Sequence, residues 1–198
     1  MASFILKKTI SKDILHAASK VPVKRKLNDM TIMEEGEGQL TGAIGELMML
    51  DLFDAYYEGN TQIDHANTYD YDIVLDDRYK LDVKSKRRGA APRSYYNATV
   101  AAYSLPIQKC AGYYFTSITF DYTNTPKVFY FLGSLSKRQF KELATFGKLG
   151  EEDGSTKANG DKFKFTADCW NVQYGDLEMF SLSEAKDLRQ SGFEIVYW

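Results

Sequence analysis

The chain has 198 residues, 44% hydrophobic and 26% charged, which is the composition of a soluble globular domain long enough to bury a real core. Its 25 basic and 27 acidic side chains leave a formal charge of −2, so any nucleic-acid surface has to be a local basic patch rather than a bulk excess of charge. Two cysteines and two histidines supply neither a disulfide framework nor a zinc site, and no apolar run reaches membrane-spanning length, which points to a cytoplasmic protein without a membrane partner.

Residues 1–20 predict a short strand and then a helix in ISKDILHAASK, with Ser11 as N-cap. His16 in that helix has no acid spaced to orient it and is expected at the surface or in packing. The segment VPVKRKLN, 21–28, is a basic connector. Residues 1–37 are thus expected to form an N-terminal helical arm, and 38–198 a single globular unit. From Gln39 to Tyr56, QLTGAIGELMMLDLFDAY predicts the clearest helix. Leu40, Ala43, Ile44, Leu47 and Leu50 form an apolar stripe, which Met48, Met49, Leu52 and Phe53 spread almost all round. Gly42 and Gly45 each cost about 1 kcal/mol of helix propensity, which predicts a close approach of the backbone to a neighbour. Glu46 lies in this apolar stretch and needs a partner, because a lone buried carboxylate is either costly or protonated. A salt bridge to a core lysine would satisfy it, and so would a metal ion.

After a polar loop, 57–68, that contains His65, the stretch YDYDIVLDDRYKLDVKSK (Tyr69 to Lys86) reads as a hairpin. Tyr71 to Leu75 is β-branched and aromatic, Asp76-Asp77-Arg78 supplies turn chemistry, and Tyr79 to Ser85 resumes alternation. Alternation sends Asp82, Lys84 and Lys86 to one face and Leu81 and Val83 to the other. Pairing the strands brings Asp72 beside Asp82 and Lys84, two carboxylates and an ammonium suited to metal-assisted phosphate chemistry. Lys86, Arg87, Arg88 and Arg93 follow closely, with Tyr95 and Tyr96 behind them. They are read as contacts to a phosphate backbone.

Further on, NATVAAYSLPIQK predicts a short helix ending before Pro106. Two strands, 111–122 and 127–135, precede a helix capped by Ser136 and closed by Gly147. Residues 148–162 read as an acidic, glycine-rich loop. FKFTADCWNVQY is extended, and a helix in SLSEAKDLRQSG and a strand in FEIVYW end the sequence. Cys110 and Cys169 sit in apolar or aromatic contexts and are expected as buried thiols. The sequence has no nucleophile elbow, Walker loop, dinucleotide-binding glycine pattern or paired CxxC.

The combination of GAIGE on a helix, an acid in YDYDIVL and LDVKSK on the next strand resembles the PD-(D/E)XK nuclease superfamily. AGYYFTSITF and VFYFLGSLSKRQFKELA resemble, more loosely, the later core strands and helix of phage-type members. No proline precedes Asp72, and Asp70 is a competing acid on the same face. Asp72 is preferred because it leads directly into Ile73-Val74-Leu75.

The resemblance implies an α/β fold of the restriction-endonuclease type, with a mixed central sheet flanked by helices. It implies a deoxyribonuclease dependent on Mg²⁺, with Mn²⁺ as a substitute ion, acting on DNA in the cytoplasm (the host's, if the chain is phage-encoded). Catalysis would fall to Glu46, Asp72, Asp82 and Lys84. Glu46, Asp72, Asp82 and the Val83 carbonyl would hold metal, and Lys84 would assist the attacking water. Gln108 lies where some members place a polar helper. The oligomeric state stays open, a homodimer included. The rival from another class is a non-catalytic nucleic-acid-binding or assembly subunit that keeps the fold.

Overall fold

The computed structural model describes residues 4–21, 37–63, 70–156 and 162–198. The basic connector beyond Val21, along with His65 and Tyr69, lies outside the described residues. Strand β1 (Phe4–Thr9) leads into α1 (Lys12–Lys20), where the Ser11 hydroxyl accepts from the Ile14 N–H at 3.2 Å. Helix α2 (Glu37–Tyr56) precedes β2 (Thr61–Ile63), β3 (Ile73–Leu75), β4 (Tyr79–Arg88) and β5 (Asn97–Ala101). Next come α3 (Ser104–Ile107), β6 (Gly112–Phe120), β7 (Pro126–Ser136), α4 (Lys137–Leu143), β8 (Thr145–Gly147), β9 (Glu152–Thr156) and β10 (Lys162–Lys164). The chain closes with β11 (Cys169–Gln173), α5 (Leu182–Asp187) and β12 (Glu194–Tyr197).

Seven strands form the central sheet in the order β12-β1-β7-β6-β4-β3-β2. Among the described strands the parallel pair is β4 with β6, which makes the sheet mixed. The period of two along each strand divides the core into two layers. Leu6, Leu81, Val83, Ile118, Phe129 and Phe131 face α2 and its Ile44, Met48, Met49 and Leu52. Tyr113, Phe115, Tyr130 and Leu132 face the other way, onto a three-stranded sheet, β5-β11-β8, through Ala98, Val100 and Val172. The architecture is therefore mixed α/β, with helices against the sheet. Among the described residues no helix is long and apolar enough to cross a membrane.

The turn of the hairpin fixes its register. Asp76 and Asp77 have φ of 48° and 55°, the backbone of a primed hairpin turn and one that Asp tolerates. Arg78 N–H closes the turn on the Leu75 carbonyl at 3.0 Å. The Tyr57 hydroxyl donates to the Asp76 carboxylate, and the Asn60 N–H donates to the same group at 3.0 Å, which ties the turn to the segment just after α2.

Of the two helix glycines, only Gly45 makes a close approach. A Cβ there would lie 1.8 Å from Ser85 Oγ and 3.3 Å from Thr116 Oγ1, a hydroxyl pair hydrogen-bonded at 2.7 Å, whereas a Cβ on Gly42 would meet nothing within 4 Å among the described residues. Gly42→Ala is expected to stabilise the fold by about 1 kcal/mol through helix propensity. Gly45→Ala is expected to destabilise it by about 1–3 kcal/mol by forcing α2 off β4. Urea denaturation of the two variants checks both signs.

Several sequence-based expectations need correction. NATVA forms β5, because pairing with β11 over Asn97–Ala101 outweighs the helix propensity of its alanines. Helix α3 runs through Pro106 rather than stopping before it. Pro106 stands in the first turn of this short helix, where an N–H has no intrahelical partner to lose. The 57–68 loop contains β2, which extends the hairpin by pairing with β3. Helix α4 ends at Leu143, and Thr145–Gly147 instead joins the small sheet. The glycine-rich 148–162 stretch holds β9, paired with β10. Nor does the fold divide at residue 37. Phe4–Thr9 is an inner strand between β12 and β7, and α1 packs on the α2 layer through Ile14, Leu15 and Ala18.

Candidate functional site

The β3–β4 register runs as far as Ile73 opposite Leu81, with Asp72 and Asp82 the next residue along each chain. The regular ladder ends there, because the Asp72 N–H turns to the Leu81 carbonyl at 2.8 Å. The Asp72 carboxylate takes over as acceptor and receives the Val83 N–H on Oδ2 at 2.8 Å. Asp72 is thus held by the strand that carries Asp82 and Lys84.

Asp82 is 3% exposed and is gripped from two sides. Gln108 Nε2 donates to its Oδ1 at 2.6 Å, and Lys84 Nζ stands 2.6 Å from its Oδ2. The second contact is a charge-assisted pair, short enough for the ammonium to serve Oδ2 as its donor. Gln108 is itself fixed. The Tyr113 hydroxyl donates to its Oε1 at 3.1 Å, and Lys137 Nζ donates to its backbone carbonyl.

The third acid arrives from α2. Glu46 is 8% exposed, one residue from the close approach at Gly45, and its charge reaches Asp72. Burial, then the Asp82 carboxylate, then Glu46 push the Asp72 carboxyl up to about 7, against the pull of Lys84 and the Val83 N–H. Burial alone would lower the Lys84 pKa, but Asp82 and Asp72 outweigh it and hold the ammonium above its usual value. Asp72 thus titrates under the combined influence of two other acids and one lysine.

Among the described residues no three His, Cys, Asp or Glu side chains converge as a metal cage. That is compatible with Mg²⁺, which is bound through one or two carboxylates and keeps several waters. The carboxyl groups of Asp82 and of Asp72, the latter pushed up by burial and by Asp82, are oxygen donors of the kind such an ion takes. Asp70, the competing acid, makes an ion pair with Lys109 at 2.9 Å.

The four basic residues after the hairpin do not form one face. Lys86 Nζ donates to the Asn97 carbonyl at 2.9 Å and to Thr99 Oγ1 at 2.6 Å. Arg88 donates to the Tyr174 hydroxyl at 2.9 Å and lies 4.3 Å over the Tyr96 ring. Arg87 turns to the opposite side, 4.4 Å over Phe120, while Arg93 is exposed and donates to the Tyr95 hydroxyl at 3.2 Å. Tyr96 packs against Tyr174, whereas Tyr95 is 55% exposed. Cys110 and Cys169 are buried free thiols. Burial and the nearby Asp82 push the Cys110 thiol up to about 11, which makes it a poor nucleophile.

Tyr113 and Lys137 escaped the sequence reading. They act through Gln108, a residue whose contact with Asp82 spans 26 positions, and no local pattern announces them.

No family model matches the chain, and no curated protein matches it.

Proposed function

We propose that the chain is a Mg²⁺-dependent deoxyribonuclease with a restriction-endonuclease-like core. The observation that carries this reading is the juxtaposition of Asp72 and Asp82 across the hairpin, with Lys84 against Asp82 and the charge of Glu46 added from α2. Lys84 has Asp82 at 2.6 Å and feels Asp72 as well, and Asp72 in turn feels Asp82 and Glu46, an acid-rich setting in which a hard cation would be held.

Asp72, Asp82 and the Val83 carbonyl would hold the ion, with Glu46 completing the acid set. When bound, the ion would supply Lewis-acid polarisation of the phosphate and a more acidic water. The chain's own residues do the rest. Gln108 and the Val83 N–H fix the two carboxylates, and Lys84 presents its ammonium to the attacking water and to the charge that builds on phosphate. Attack in line with the leaving 3′ oxygen leaves 5′-phosphate and 3′-hydroxyl ends.

The rival reading, a nucleic-acid-binding subunit without activity, is favoured by one observation: both Asp82 oxygens already have neighbours in Gln108 and Lys84. An assay on single-stranded, duplex and branched DNA with Mg²⁺, Mn²⁺ or EDTA separates the two. The nuclease reading expects metal-dependent cleavage with 5′-phosphate ends. Binding without cleavage in either metal supports the rival.

A further inference from the structure

We infer that the cleft beside Lys84 receives an unpaired nucleotide, which makes single-stranded DNA the substrate class; this rests on the nuclease reading above. The cleft has a volume of about 160 Å³ and opens between β4 and the edge strand β5. Lys84, Lys86, Ala98, Thr99, Phe115 and Tyr174 line it. Lys84 and Lys86 leave the same face of β4 two residues apart, about 6.6 Å along a strand. Lys86 is held at the rim by the Asn97 carbonyl and Thr99, while Ala98, Phe115 and Tyr174 give the interior an apolar and aromatic character. Two lysines on one face of the strand beside an apolar recess suit a nucleoside with its phosphate. A base within a duplex is covered on both faces and on its pairing edge, so only an unstacked one can enter.

From the cleft wall a row of rings and guanidinium groups runs outward. Tyr174 accepts from Arg88, the Arg88 guanidinium covers Tyr96, and Tyr95 stands edge-on to Tyr96 with ring centroids 5.1 Å apart. Arg93 donates to the hydroxyl of Tyr95, which ends the row exposed to solvent. Arg88 Nε is buried with no hydrogen-bond partner among the described residues. Tyr174 is buried and the Tyr96 ring is covered by Arg88, so the face offered to a base is that of Tyr95 at the exposed end of the row, with Arg93 beside it for the phosphate.

Fluorescence anisotropy with short labelled oligodeoxynucleotides in EDTA tests the inference apart from cleavage. Single strands are expected to bind at least about tenfold more tightly than the duplex of the same sequence, and Tyr95→Ala to weaken single-strand binding about fivefold or more. Tyr95 is exposed, so its truncation spares the fold. Tyr122→Ala, at a fully exposed tyrosine, should change nothing. Lys86→Met, checked for folding by circular dichroism, should also weaken binding. Equal affinity for duplex and single strand overturns the inference, even for an active nuclease. So does a Tyr95→Ala variant indistinguishable from Tyr122→Ala. Tight, Tyr95-dependent single-strand binding with no cleavage in Mg²⁺ leaves this site standing and removes the nuclease reading instead.

Discussion

Lys84→Met is expected to lower DNA cleavage in Mg²⁺ by a factor of about 10²–10³, the usual consequence of removing one group aimed at developing charge. Methionine keeps an unbranched apolar stem of similar reach, so the packing of the side chain is largely retained. What goes is the ammonium 2.6 Å from Asp82 Oδ2. The side chain of Lys84 is 26% exposed and that of Asp82 4%, so the loss leaves a buried carboxylate supported by Gln108 on one oxygen only. A stability loss of about 1–3 kcal/mol follows, small enough for a folded variant to be assayed. Cleavage rates under single-turnover conditions, set beside urea denaturation, separate the two effects. A folded Lys84→Met that cleaves at the parent rate would remove Lys84 from the mechanism.

Asp72→Asn is expected to trade activity for stability. In the folded chain the Asp72 carboxyl titrates at about 7 rather than at its ordinary 3.8. Between those values the folded state keeps a proton that the unfolded chain has released. The metal-free protein is therefore most favoured below about pH 4 with respect to this group, and it loses that contribution as pH rises through about 7. Asp121, held low by Thr123 and Thr125, acts in the opposite direction but titrates below this window. An asparagine can still accept the Val83 N–H, and it carries no charge to meet Asp82 and Glu46. At pH 8 in EDTA, Asp72→Asn should be more stable than the parent by about 1–3 kcal/mol, with little difference near pH 4 and no cleavage at any pH. Thermal denaturation at pH 4 and pH 8 provides the measurement. A variant less stable than its parent at pH 8 would show that the carboxylate is not repelled where it stands.

Much of the site was legible because it depends on a period of two. Once YDYDIVL and YKLDVKS are strands joined by Asp76-Asp77, the nearness of Asp72 to Asp82 and the shared face of Asp82 and Lys84 follow from geometry. The same alternation separates Arg87 from Lys86 and Arg88, a consequence that reading the four cations as one cluster overlooked. The N-caps at Ser11 and Ser136 were legible for a similar reason, since each bond closes within three residues. What escaped depends on distant partners. Alanines in NATVA favour a helix locally, and only β11, far along the chain, makes them a strand. The hold of Tyr113 and Lys137 on Gln108 appears only when β6 and α4 have been folded against the hairpin. Gly42 and Gly45 looked alike in sequence, yet Ser85 of β4 crowds only one of them.

Calorimetric titration of the metal-free protein with Mn²⁺ at pH 7, beside Asp82→Ala, tests most directly whether these acids form a cation site. Saturable binding is expected for the parent, with proton release as Asp72 ionises, and no binding for Asp82→Ala. Heats no different from dilution for the parent chain, with and without DNA, would contradict the account.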